Sequence, residues 1–138
     1  MHINIEATSK TPRILFNPEE RIFEIHGNSR PENVRDFYYP VVKAIEEHFE
    51  DIHSRQDEDL KQKPYNFHFQ MGYFNSASAK FLADIFLHLS EYKAKGLNNI
   101  RIMWYYEEGD EDMLEAGHDF SEMTHMAFSY VMIRKETR

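Results

Sequence analysis

Apolar and polar residues alternate along six stretches of the chain and recur at helical spacing along three others. INIEA (3–7) alternates, RILF (13–16) precedes the turn NPEE, and RIFEIH (21–26) ends at Gly27-Asn28. The first 30 residues therefore predict three short strands separated by turns. YNFHFQMGYF (65–74) is the clearest strand, with Tyr65, Phe67, Phe69, Met71 and Tyr73 on one face and Asn66, His68 and Gln70 on the other. Alternation this strict predicts a sheet with only one fully covered face. NIRIMWYY (99–106) sets Ile100, Ile102, Trp104 and Tyr106 together, and FSYVMIR (128–134) is a last strand.

Val34, Phe37, Tyr38, Val41, Ile45, Phe49 and Ile52 follow a helical period. Ahead of them Ser29 and Glu32 fit a capping box, with Pro31 in the first turn where its missing N–H costs little. Pro40 interrupts the pattern, but the apolar stripe keeps its phase, which predicts a kinked helix and not a restarted one. SRQDEDLKQK (54–63) reads as an exposed loop. A second helix is predicted over 79–95, with Leu82, Ile85, Phe86, Leu89 and Tyr92 inward and Gly96 as its stop. A short acidic helix follows over 111–123, with Met113, Leu114, Gly117 and Phe120 inward.

The order β-β-β-α-β-α-β-α-β predicts an α/β fold with a mixed sheet and helices mainly on one face. Helices between strands imply parallel neighbours, and the opening strands supply antiparallel pairing. The 138 residues, 41% of them hydrophobic and 14% aromatic, are expected to form one domain (1–138) around one core.

Composition narrows the function. With no cysteine there can be no disulfide, thiolate zinc site or cysteine nucleophile. Neither a signal peptide nor a membrane-spanning apolar run is visible, so a cytoplasmic location is expected. The net charge of −8 is unevenly spread: between Arg101 and Arg134 there is no Lys or Arg, while Glu107, Glu108, Asp110, Glu111, Asp112, Glu115, Asp119 and Glu122 all lie there. Setting those eight aside leaves 16 acids against 16 bases, so the whole excess sits in one segment. That segment would repel nucleic acid and attract a basic protein partner. A solvated acidic face is the simpler explanation of the same residues.

The strand-to-helix stretch YFNSASAK (73–80) offers two readings. Ser76 and Ser78 both suit the N-cap of the following helix, accepting from a free backbone N–H. The same place, at the positive end of a helix dipole, suits a phosphate ester on a serine hydroxyl. Other chemistry is weakly signalled. His48 and His53 are five apart, there is no H-E-x-x-H, and EEGDEDMLE lacks the spacing of a calcium loop, so no metal or other cofactor is expected. No glycine-rich phosphate loop or G-x-S-x-G occurs, and no catalytic residue can be assigned. An enzymatic reading would need the scattered histidines and the acidic helix to share a metal.

RPENVRDFYYPV (30–42), YFNSASAK (73–80) and WYYEEGDEDMLEAGHDF (104–120) fall in an order that resembles the SiaC-type regulatory phosphoproteins, small bacterial proteins of STAS-like, anti-anti-sigma-factor-like fold. The resemblance implies phosphorylation of a hydroxyl in the strand-to-helix segment by a dedicated protein kinase and its removal by a PP2C-type phosphatase. It implies that the unmodified protein binds a diguanylate cyclase, which would connect it to cyclic-di-GMP signalling and biofilm behaviour. Matching 75–80 to the family pattern N-T-S-S-x-K places the acceptor at Ser76, with Asn75, Ser78 and Lys80 around it. Glu32 and Asn33 match the P-E-N that opens the first helix. The chain departs from the pattern in having Ser for Thr at the acceptor, Ala77 for a hydroxyl residue, and Ala44 where relatives carry tryptophan. The rival reading is an unmodified STAS-like module that docks a partner through Glu107, Glu108, Asp110 and Asp112.

Overall fold

Among the described residues, six strands form one mixed sheet in the order β1-β2-β3-β4-β5-β6, the order in which they occur along the chain. The computed structural model describes residues 2–135. The strands are β1 (Ile3–Ile5), β2 (Arg13–Asn17), β3 (Ile22–Ser29), β4 (Tyr65–Phe74), β5 (Ile100–Glu107) and β6 (Phe128–Ile133). Four helices intervene: α1 (Val34–Arg55), α2 (Glu58–Gln62), α3 (Ser76–Ala94) and α4 (Glu111–Thr124). β1, β2 and β3 pair antiparallel, and β3 to β6 run parallel, as hairpins and helical crossovers require.

Period-two alternation decides which face is covered. Ile14, Phe16, Phe23, Ile25, Phe67, Phe69, Ile102 and Trp104 are almost fully buried, whereas Arg13, Glu24, His26, His68, Gln70 and Tyr105 on the opposite face keep contact with solvent. The three long helices lay their apolar stripes on the first face, α3 packing between α1 and α4. Burying side chains of this size stabilises by about 1.5–3 kcal/mol each, so the helix-covered face holds the fold together. Trp104 donates from its indole N–H to the Met113 carbonyl at 2.9 Å, and Gly117 lies flat against its ring. A Cβ at Gly117 would come within 2.5 Å of the Trp104 Cδ1.

Several local expectations are corrected. α1 runs unbroken through Pro40, as the phase of its stripe predicts, but Ser29 does not cap it. β3 continues past Gly27-Asn28 to Ser29, and Asn33 is the cap, accepting from Asp36 N at 3.1 Å. The 54–63 stretch is not all loop: α1 reaches Arg55, and Asp57 caps the single turn of α2 by accepting from Leu60 N. Tyr73 leaves the core face. The register slips at Gly27/Asn28, so that Gly72 bulges out of the ladder and Tyr73 emerges 51% exposed.

Candidate functional site

The carboxyl ends of β3 and β4 lie side by side, Ser29 opposite Phe74, and each strand turns there into a helix. Asn75 makes the second turn. Its backbone N–H donates to the Ser29 carbonyl at 3.0 Å, and its side-chain oxygen accepts from Ser78 N at 2.9 Å. Asn75 is therefore the N-cap of α3, and the expectation that Ser76 or Ser78 fills that role is overturned. Asn75, extended at ψ 173°, is the last residue outside the helix, whereas Ser76 and Ser78 lie one and three residues further on, inside it.

The two serines have opposite surroundings. Ser78 is fully buried and donates to the Ser29 carbonyl at 3.1 Å, with the Ser29 hydroxyl 2.8 Å from its own oxygen. Tyr38 reaches the same Ser29 hydroxyl from α1. One set of protons satisfies all three groups: Tyr38 donates to Ser29, Ser29 to Ser78, and Ser78 to the backbone. Burial raises the Tyr38 pKa, with the hydrogen bonds to Ser29 and Ser78 pulling the other way, so the phenol stays a donor. Its ring stacks on Phe81 of α3 at 5.7 Å. The cluster thus clamps the starts of α1 and α3 to the end of the sheet. Ser76, two residues before Ser78, is exposed, and among the described residues its hydroxyl has no hydrogen-bond partner. Lys80 lies one turn along the same helix, also exposed.

Glu32 and Asn33 stand at the neighbouring start of α1 but are engaged elsewhere, Glu32 with Lys10 at 3.8 Å and Asn33 with Asp36. The acidic segment begins at the end of β5. Gly109, at φ +88°, makes the turn, and Asp110 caps α4 by accepting from Met113 N at 3.1 Å. Glu108 accepts from Lys135 N, while Glu107 and Asp112 are exposed. Asp110 and Asp112 line a shallow hollow with Gly72, Tyr73 and Phe74, the end of the strand that leads into Asn75 and Ser76. The chain pattern could not reveal Ser29 and Tyr38, whose role depends on contacts 49 residues apart in the case of Ser29 and Ser78. The histidines do not converge: His68 bonds Tyr105 on the open sheet face, and no three metal-binding side chains cluster among the described residues.

Three long helices laid across one face of a mixed sheet, with the start of α3 clamped by buried hydroxyls at the end of that sheet, define a small α/β domain. The chain belongs to the SiaC family of regulatory phosphoproteins, whose family model matches residues 5–133. It is 26% identical over 120 residues to an uncharacterised protein of Pseudomonas aeruginosa (strain UCBPP-PA14), covering 87% of each chain. Its fold is similar to the crystal structure of apo-SiaC from P. aeruginosa, with a TM-score of 0.76, 21% identity, and coverage of 96% of this chain and 98% of that one. It is also similar to a chain in the crystal structure of the diguanylate cyclase SiaD in complex with its activator SiaC from P. aeruginosa, with a TM-score of 0.78, 22% identity, and coverage of 96% and 99%. No helix among the described residues is long and apolar enough to cross a membrane.

Proposed function

We propose that this chain is a non-catalytic binding protein switched by reversible phosphorylation of Ser76, and that in its unmodified form it docks a diguanylate cyclase. One observation carries the choice of residue: Ser76 is exposed in the first turn of α3 whereas Ser78 is sealed in the core. A kinase can reach the first hydroxyl without opening the fold. α3 is also a helix with no acid in its first turn, so its positive end is uncompensated, whereas α1, α2 and α4 each carry acids there. A phosphate would bring about −1.5 to −2 charges to that end. Lys80, one turn along, would face it.

Because the Ser29–Tyr38–Ser78 clamp already fixes the helix entrance, the added charge would alter the docking surface and leave the fold in place. A protein kinase and a PP2C-type phosphatase would set the occupancy. The solved activator–cyclase complex supports the cyclase as the partner to test first. In a titration against such a cyclase, Ser76→Ala should bind as the unmodified protein does, and Ser76→Asp should bind about tenfold or more weakly. Equal binding by the two variants would remove the switch. Phosphopeptide mass spectrometry on protein from growing and starved host cells would then show whether the Ser76 peptide changes occupancy.

A second reading rests on the acidic segment. Glu107, Glu108, Glu111, Asp112, Glu115, Asp119 and Glu122 are exposed, and no Lys, Arg or His among the described residues forms an ion pair with them. A basic partner bound there would lose affinity steeply with salt and ignore every substitution at Ser76.

A further inference from the structure

At the opposite end of the sheet, where β3 and β4 begin, the second half of α1 and the turn of α2 border an open cleft of about 370 Å³. That size is in the range of small-molecule sites, and the cleft lies the length of β4, roughly 30 Å, from the end that carries Ser76. Three cations line it: Arg21, Arg55 and Lys63. Two carboxylates also face it. Asp51 is held by Arg55 at 3.0 Å, and Glu19 sits at the exposed rim. Among the described residues neither Arg21 nor Lys63 has a carboxylate within 4.0 Å. A chain with net charge −8 thus leaves two cations unneutralised beside one hollow.

Arg21 is fixed in place. Its backbone takes φ +58°, an unfavourable conformation for a residue with a Cβ, closing the turn from β2 into β3. Its guanidinium lies 4.6 Å above the Tyr65 ring and donates to the Lys63 carbonyl at 3.3 Å. That leaves most of its five N–H groups for something else. His48, hydrogen-bonded to Tyr65, is held neutral in the wall: burial and then the Arg21 charge push its pKa down to about 4. The rest of the wall is apolar, from Pro18, Ile52 and Leu60.

We propose that this cleft binds a small organic phosphate, its phosphate group between Arg21 and Lys63 and its apolar portion against Leu60 and Ile52. A planar guanidinium and a flexible ammonium without acidic partners suit a doubly charged oxyanion, and the apolar wall suits an ester over the free ion. Because α2 supplies Leu60 and carries the chain to Lys63, an occupant would also tie this turn down against the domain.

The test is titration of the full ¹⁵N-labelled chain with phenyl phosphate and with inorganic phosphate at constant ionic strength, followed by backbone amide shifts. Expected are saturable shifts confined to residues 18–21 and 48–65, with phenyl phosphate binding more tightly. Arg21→Gln and Lys63→Gln should each weaken binding about tenfold, and Ser76→Asp should leave it unchanged. Should Arg21→Gln fail to fold, Lys63→Gln, on an exposed side chain, carries the comparison alone. Non-saturating shifts spread over the surface, or wild-type binding by Lys63→Gln, would overturn the site and leave Arg21 as a clasp on Tyr65.

Discussion

Two strand-to-helix turns leave the same end of the sheet, and they solve one problem in opposite ways. Each helix begins with an Asx cap that accepts from the amide three residues on, Asn75 from Ser78 and Asp110 from Met113. The α4 turn is charged throughout: Asp110 is the cap, Glu111 and Asp112 follow, and the helix dipole is met by side chains the chain already owns. The α3 turn uses a neutral cap and no acid, and anchors itself from beneath through Ser78, Ser29 and Tyr38. One entrance is electrostatically complete. The other is mechanically secure and electrostatically unfilled, which suits a site whose charge is meant to change.

Substitutions separate the two entrances by what each one loses. The largest effect should come where α4 is seated: Gly117→Val drives new atoms into the Trp104 ring and should cost about 3 kcal/mol in denaturant unfolding. Next, Ser78→Ala should cost about 1–2 kcal/mol, because the buried Ser29 hydroxyl loses its acceptor, while Ser76→Ala should stay within about 0.5 kcal/mol. Equal losses from the two serines would mean that the clamp does not hold the α3 entrance.

His48 supplies a control at the far end of the molecule. Unfolded, it takes up a proton near pH 6.5, but folded it does so only at about pH 4. Between those values the unfolded chain binds more protons, so stability falls as the pH drops through that window. Solvent screening of a half-buried ring limits the loss to about 1–2 kcal/mol. His48→Gln should flatten that part of the pH profile without altering either helix entrance. Smaller losses belong to the caps. Asn75→Ala and Asp110→Ala should each cost about 1 kcal/mol, and only the Asp110 loss should shrink in high salt, since only that cap carries charge.

The sheet was legible because alternation along β4 and β5 records burial directly, and the three long helices because their stripes keep phase even through Pro40. What escaped was local competition between neighbouring elements. Ser29 has the chemistry of a cap, yet ladder pairing with Phe74 holds it in β3 and passes the cap to Asn33. Tyr73 obeys the period of its strand until the bulge at Gly72 resets the count. At the site, Asn75, Ser76 and Lys80 can be placed from one short stretch, but the clamp joins residues from three elements. The basic cleft is harder still to anticipate, because Arg21 precedes β3, Arg55 ends α1 and Lys63 follows α2, and only the packing of these elements brings them together.

The strand order has a further consequence. Every strand lies beside its predecessor in the chain, so each β-α unit, once made, finds its docking edge already present. Such a topology can be completed progressively during synthesis, from the ribosome outward, without waiting for distant sequence. The members of the Ser29–Tyr38–Ser78 clamp all precede β5, so the α3 entrance takes none of its anchoring from the acidic turn beside it.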